Sequence, residues 1–165
     1  MPGISAILLA AGKSTRMGRL KALLPWQGST LVEYQVGSLH QAGAGEIVVV
    51  VGHQGDDVAT RVWERPGVTV VSNPDYWRGK TTSVKSGLLR LSPSMEGILL
   101  LAVDQPRPVS VLESLINTHL EEGNTITCPV FQGRSGHPII FSASLLGELM
   151  SITEEGEGLR AISRR

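Results

Sequence analysis

Apolar runs recur along the chain: Ile4 to Ala10, Glu46 to Val51, Val68 to Val71, Gly97 to Val103, Ile126 to Val130 and Pro138 to Phe141. Ile47-Val48-Val49-Val50-Val51 and Ile98-Leu99-Leu100-Leu101-Ala102-Val103 contain no polar residue. Runs without alternation fit strands buried on both faces. Between the runs, helix signals appear. Thr30 and Glu33 form a capping box ahead of Leu31 to Gln41. Asp56 and Asp57 are N-caps for a helix through Val58 and Val62. Thr81-Thr82-Ser83 cap a helix through Val84, Leu88 and Leu91, closed by Ser92-Pro93. Ser110 to Glu122 sets Val111, Leu112, Leu115, Ile116 and His119 on one side, and a last helix covers about Ser144 to Met150.

Strand alternating with helix predicts a three-layer α/β/α domain, a Rossmann-like and mostly parallel sheet covered on both faces. The short return from Gln132 through Gly136 into Pro138 predicts one antiparallel strand near the end. With no linker, repeat or low-complexity segment, residues 1–165 read as one domain. Sheets of this kind bind ligands at the carboxyl ends of their strands. Gly12, Asn73 and Asp104 each follow a predicted strand, so they are expected on one rim.

The densest chemistry lies just after the first strand. Gly12 opens a turn that carries four cations, Lys13, Arg16, Arg19 and Lys21, with no acid among them. Exposed N–H groups plus Arg and Lys suit a polyphosphate; the plainer reading is a solvated basic loop. Gly12-Lys13-Ser14 is not a P-loop, because Ile7 stands where that motif needs its first glycine. The dinucleotide fingerprint also fails, since Gly18 is the next glycine after Gly12.

Composition narrows the partners. Fifteen Lys and Arg balance fifteen Asp and Glu, so any recognition of charge must be local, and neither nucleic acid nor membrane is implied. Aromatic residues at 4% argue against a stacking surface for single strands. Cys128 is alone, which excludes a disulfide framework and a thiolate zinc site and suits a cytoplasmic setting. No run is long enough to span a bilayer.

Three further motifs stand out. Asp104-Gln105-Pro106 ends the fourth strand. Its aspartate is either a turn former or a ligand for a hard cation such as Mg²⁺. Asn73-Pro74-Asp75-Tyr76 is a turn ahead of Gly79 and a helix start at Thr82 and Ser83, whose free N–H groups could face an anion or a base edge. Gly136-His137-Pro138 holds a histidine that could contact phosphate or simply form the turn. His53, after the second strand, is a weaker candidate; His40 and His119 sit on helices.

The run L-A-A-G-x-S-x-R-M-G followed by K-x-L-L-P, from Leu8 to Pro25, resembles the molybdenum cofactor nucleotidyltransferases, the molybdopterin cytidylyl- and guanylyltransferases. The resemblance extends from about Ile4 to the last helix. It implies the nucleotide-diphospho-sugar transferase type of fold. Lys13 joins the nucleotide loop, Gly12, Arg16 and Lys21 hold the phosphates, and Leu9, Ala10 and Ala11 border the base. Asn73, Gly79, Thr82 and Ser83 match the segment that helps hold the nucleoside. Asp104 matches the metal aspartate for Mg²⁺, and Gly136, His137 and Pro138 border the acceptor pocket. Ala10-Ala11-Gly12 and Gly136-His137-Pro138 look more like the cytidylyl branch, favouring CTP over GTP. The family usually continues to a further strand ending in an acidic motif. This sequence stops at Arg165 before any such motif, and Glu154, Glu155 and Glu157 do not replace it by spacing.

The reaction so implied is attack of a phosphorylated acceptor, molybdopterin or molybdenum cofactor, on the α-phosphorus of a nucleoside triphosphate, with pyrophosphate leaving. A phosphate nucleophile is already ionised, which agrees with the lack of a base–nucleophile pair in the sequence. Arg16, Lys21 and Asp104 would carry catalysis by positioning and charge neutralisation. A recipient molybdoenzyme is a further partner. Three other readings stay open: transfer to a sugar or alditol phosphate, a non-catalytic module that binds nucleotide or molybdenum cofactor, and a purely structural α/β domain, which leaves the cations from Lys13 to Lys21 unexplained.

Overall fold

A computed structural model describes residues 3–12, 20–154 and 158–163. Strand β1 (Ile4–Ala10) leads, through a 3-10 turn at Lys21–Leu23 and a small hairpin of β2 (Pro25–Trp26) and β3 (Ser29–Thr30), to helix α1 (Leu31–Gln41). There follow β4 (Glu46–Val51), α2 (Gly55–Val62), β5 (Val68–Ser72), a 3-10 turn at Tyr76–Arg78 and α3 (Lys80–Leu88). Next are β6 (Gly97–Ala102), α4 (Val109–Glu122), β7 (Ile126–Thr127) and a second small hairpin, β8 (Val130–Phe131) with β9 (Arg134–Ser135). Strand β10 (Ile139–Ser142), α5 (Leu146–Met150) and α6 (Arg160–Ser163) complete the order.

The sheet runs β5-β4-β1-β6-β10-β7. Strand β1 pairs in parallel with β4 on one side and β6 on the other. Strand β10 is antiparallel to both β6 and β7, the one reversed strand expected from the turn at Gly136. Alternate residues of each central strand enter opposite cores. Ala6, Leu8, Val49 and Leu101 meet Val32, Val36, Val58 and Leu112 on the α1, α2 and α4 side. Ile7, Val48, Val50, Ile98 and Leu100 meet Val84, Leu88 and Leu149 on the α3 and α5 side. Burial on both faces is why these strands read as unbroken apolar runs, and the three layers are those predicted.

Some boundaries moved, each for a local reason. The predicted strand Ile126 to Val130 stops at Thr127, and Val130 joins the separate hairpin with Ser135. Pro129 has no N–H to give a ladder at that point. Asp56 and Asp57 lie inside the first turn of α2 rather than capping it; the cap position is Gln54 in a left-handed conformation, φ 52°. Helix α3 begins at Lys80, ahead of the expected Thr81-Thr82-Ser83 cap, and ends at Leu88. The last predicted helix is a 3-10 turn, Ala143–Leu145, followed by α5. At α1 the Thr30 side chain accepts from Glu33 N as expected of a capping box. The Glu33 carboxylate, however, accepts from Thr30 Oγ1 at 2.9 Å and pairs with Arg65 at 3.4 Å. Among the described residues no helix is long and apolar enough to cross a membrane.

The α3–β1 contact leaves no spare room. A Cβ on Gly87 would lie 2.7 Å from Ile7 Cγ2. Gly87→Ala should therefore destabilise the fold by roughly 1–3 kcal/mol, against the ordinary preference of a helix for alanine. Urea denaturation checks this; an unchanged or higher midpoint would show that Ile7 yields freely.

Candidate functional site

The chain crosses from β5 back to β6, so the sheet reverses its winding between β1 and β6, and α1 and α3 lie on opposite faces. Connections leave in opposite directions there, and a crevice opens beyond the strand ends. A cleft of about 380 Å³ occupies this place. Its floor is Leu9, Ala10, Ala11 and Gly12 from the end of β1, and Ala102, Val103, Asp104 and Gln105 from the end of β6. Leu20, Lys21 and Ala22 close one side, and Tyr76, Lys80 and Ser83 the other. The predicted meeting of Gly12 and Asp104 on one rim is what the structure has.

Lys21 Nζ lies 3.4 Å from Asp104 Oδ2, and both side chains are nearly half exposed. An exposed pair is worth little in stability, so its members can exchange partners at small cost. The loop that carries Asp104 is held from behind. Gln35 of α1 is wholly buried. Its Nε2 donates to the carbonyls of Ala102, Val103 and Gln105, the last at 2.9 Å, and its Oε1 accepts from Arg107 N. A polar side chain inside an apolar stripe with Leu31, Val32, Val36 and Leu39 was a readable signal that the sequence analysis did not use.

The turn after β5 contributes differently from the expectation. Asn73, Gly79 and Thr82 do not line the cleft; Ser83 does, together with Tyr76 and Lys80. Asn73 is buried, and its amide donates to Thr82 Oγ1 and Ser83 Oγ, each at 2.9 Å, while Oδ1 accepts from Asp75 N. Asn73 therefore ties the turn to α3. Thr82 Oγ1 donates onward to Gly79 O at 2.7 Å. The helix start does not offer all its N–H groups: Glu154 Oε1 accepts from Thr81 N at 2.8 Å and from Thr81 Oγ1 at 3.0 Å. Tyr76 packs close to Gly52, where a Cβ would lie 2.7 Å from the ring and 2.8 Å from Ala11 O. His53 Nδ1 is 3.4 Å from the Tyr76 hydroxyl, which puts it behind the cleft wall.

A second cleft, of about 510 Å³, lies on the far side of α3's first turn. Its wall includes Lys80, Thr81, Cys128, Gly136, His137, Glu154 and Arg160. Gly136 and His137 are thus placed together as predicted, with Pro138 joined to His137 by a cis peptide bond. Arg107 Nε donates to His137 O at 3.0 Å. Burial, with Lys80 and Arg107 nearby, pushes the His137 imidazole below its usual range, so it is neutral near pH 7. Lys13 and Arg16, expected on the phosphates, lie outside the described residues.

A divalent ion is implied by the resemblance. The first cleft is lined by the Asp104 carboxylate and by Gln105, whose buried Oε1 has no hydrogen-bond partner among the described residues. No imidazole or thiol lines it among the described residues. This all-oxygen set fits a hard cation. Among the described residues no three His, Cys, Asp or Glu gather as a metal cage, so Asp104 is the one carboxylate that the described lining of this cleft supplies.

Residues 6–165 match the family model of the MobA-like NTP transferase domain. The molybdenum cofactor cytidylyltransferase of Escherichia coli K12 is 31% identical over 88% of this chain and 73% of its own length. Nicotine blue oxidoreductase of Paenarthrobacter nicotinovorans is 30% identical over 100% of this chain and 83% of its own. Among solved structures, Rv0371c of Mycobacterium tuberculosis H37Rv superposes with a TM-score of 0.83 at 26% identity, covering 99% of this chain and 83% of that one. A manganese complex of Rv0371c superposes with a TM-score of 0.76 at 27% identity, covering 99% and 84%.

The grip of Gln35 on the β6–α4 loop sets a test. Gln35→Met takes this partner from the Val103 and Gln105 carbonyls and from Arg107 N, while Ala102 O keeps its bond from Gln105 N, and should cost about 1–3 kcal/mol. Gln35→Glu should cost more, because a carboxylate would face carbonyl oxygens. Chemical denaturation orders the two; equal stability of all three proteins would remove Gln35 from this role.

Proposed function

We propose that this chain, which belongs to the MobA-like NTP transferase family and is a nucleotidyltransferase, transfers CMP from CTP to the phosphate of molybdopterin or molybdenum cofactor, releasing pyrophosphate. The observation that carries the reading is the cleft at the β1–β6 reversal, where Gly12 and Lys21 stand across from Asp104. The two relatives quoted carry different names, so family membership alone does not choose the substrate. Cations on both sides of this cleft, Lys21 and Lys80, favour phosphate transfer.

The triphosphate lies in the first cleft, its base against Leu9, Ala10 and Ala11, its phosphates toward Gly12, Lys13, Arg16 and Lys21. Ser83 and the turn braced by Asn73, Gly79 and Thr82 close the nucleoside side. Asp104 and Gln105 would hold a divalent ion, Mg²⁺ being the natural choice, which supplies charge neutralisation at the phosphates. The acceptor enters from the second cleft, beside Gly136, His137 and Pro138. Its phosphate oxygen needs no base, so a neutral His137 serves as a hydrogen-bonding contact. The described residues then work by orientation: the Gln35 network fixes the Asp104 loop, and Asn73 fixes the turn ahead of α3. The setting expected is the cytoplasm, with a molybdoenzyme receiving the product.

Asp104→Asn should lower turnover by about 10²–10³-fold, the usual effect of losing one charge-stabilising group, yet keep triphosphate binding through Arg16 and Lys21. Chelation by EDTA should reduce the parent protein to a similar level. Steady-state assay with calorimetry decides; full activity in the variant would refute the assignment. Separately, turnover with CTP should exceed that with GTP, ATP and UTP under labelled pyrophosphate exchange. GTP turnover equal to or above that with CTP would overturn the base assignment alone.

A further inference from the structure

One cation belongs to both clefts. Lys80 lines the first with Asp104, Lys21 and Ser83, and the second with His137, Glu154 and Arg160. Ser83 lies one helical turn on and faces the first cleft, whereas Thr81 and Val84 face the second. The opening turn of α3 is therefore the partition between the clefts, and the Lys80 side chain stands at its edge, exposed.

The position is a poor one for a lysine on local grounds. The amino end of a helix carries partial positive charge and prefers acids, and α3 has no acid in its first turn. The compensation comes from far along the chain, as the Glu154 carboxylate accepting from Thr81 N and Oγ1. A cation kept where the helix disfavours it marks a place where another demand prevails. On the far side, the charges of Lys80 and Arg107 both bear on His137. Arg160 adds a second cation to the lining of that cleft, and the one acid there among the described residues, Glu154, is engaged by Thr81.

We propose that Lys80 is the cation at the point of transfer, reaching from the partition to the α-phosphate of the bound triphosphate and to the incoming acceptor phosphate together. The inference rests on the nucleotidyl-transfer reading above. In the step, an acceptor phosphate oxygen forms a bond to the α-phosphorus. The bond from that phosphorus to the α–β bridging oxygen breaks, and pyrophosphate departs with the electron pair. The Lys80 ammonium gives up no proton. It offsets the repulsion between two anions that must approach each other and the charge that gathers on the α-phosphoryl oxygens. Lys21, on the opposite side of the first cleft, lines only that cleft and cannot be shared in this way.

Two measurements on Lys80→Ala and Lys80→Arg test this. Inorganic phosphate is titrated into the protein and followed on the His137 imidazole resonance by NMR. Lys80→Ala should weaken phosphate binding by about tenfold or more, as expected for a lost charge-assisted hydrogen bond, and Lys80→Arg should restore part of it. Turnover is then measured with CTP and the acceptor that the parent protein uses. Lys80→Ala should lower kcat by about 10²–10³-fold, a larger loss than its loss of triphosphate affinity, which is about tenfold for one charge-assisted contact. Arg78→Ala removes a nearby cation that lines neither cleft and should leave both readouts unchanged. Unchanged phosphate affinity in Lys80→Ala, or a loss confined to triphosphate affinity with kcat intact, would overturn the proposal. Failure of the parent protein to transfer nucleotide to any phosphorylated acceptor would instead overturn the proposed function, and the phosphate titration would still report on Lys80.

Discussion

The structure depends first on the burial of β1. That strand has parallel neighbours on both sides and a hydrophobic layer on each face, so Ile4 to Leu8 are buried and access begins at Leu9, near its carboxyl end. Its only outlet is its carboxyl end, and β6 ends beside it in register, Leu9 opposite Ala102. Two such ends, with connections leaving to opposite faces, cannot be covered by either helix layer. The cleft is what remains. Its floor of backbone and small side chains, Ala10, Ala11 and Gly12, follows from the need to stop an apolar strand where a ligand must come close.

A floor of that kind is rigid, but the groups above it are on loops and need bracing. Two buried amides do this. Gln35 gathers the carbonyls after β6 from beneath, and Asn73 joins the turn after β5 to the hydroxyls of α3. Each is nearly or wholly inaccessible to water, where an unpaired polar group would be costly. Each therefore transmits the position of the core to a loop on the rim.

This division explains what the sequence could tell. The layers, the strand order of burial and the rim that joins Gly12 to Asp104 were legible, because unbroken apolar runs alternate with helical spacing and report burial directly. The reversal into β10 was legible from the short return between Gln132 and Gly136. What was not legible depended on side chains meeting across long separations. Asn73 and Thr82 read as ligand contacts, and Thr81 read as a cap, because nothing local reveals that their hydrogen-bonding capacity is taken internally. Lys80 drew no notice between two better-known motif positions. Gln35 left a readable trace, an amide within an apolar stripe.

The hydrogen bond between Glu154 and the first turn of α3 spans 73 positions of sequence. That contact can form only once residue 154 has been made, whereas the pairing of β1 with β6 needs the chain only as far as residue 102. The partition between the clefts is consequently unfinished through most of the chain's assembly. During synthesis, the central strands and the floor of the first cleft can be in place while α3 still begins with an uncapped end beside Lys80. Only when residue 154 has emerged and docked does the wall between the two clefts acquire its final form.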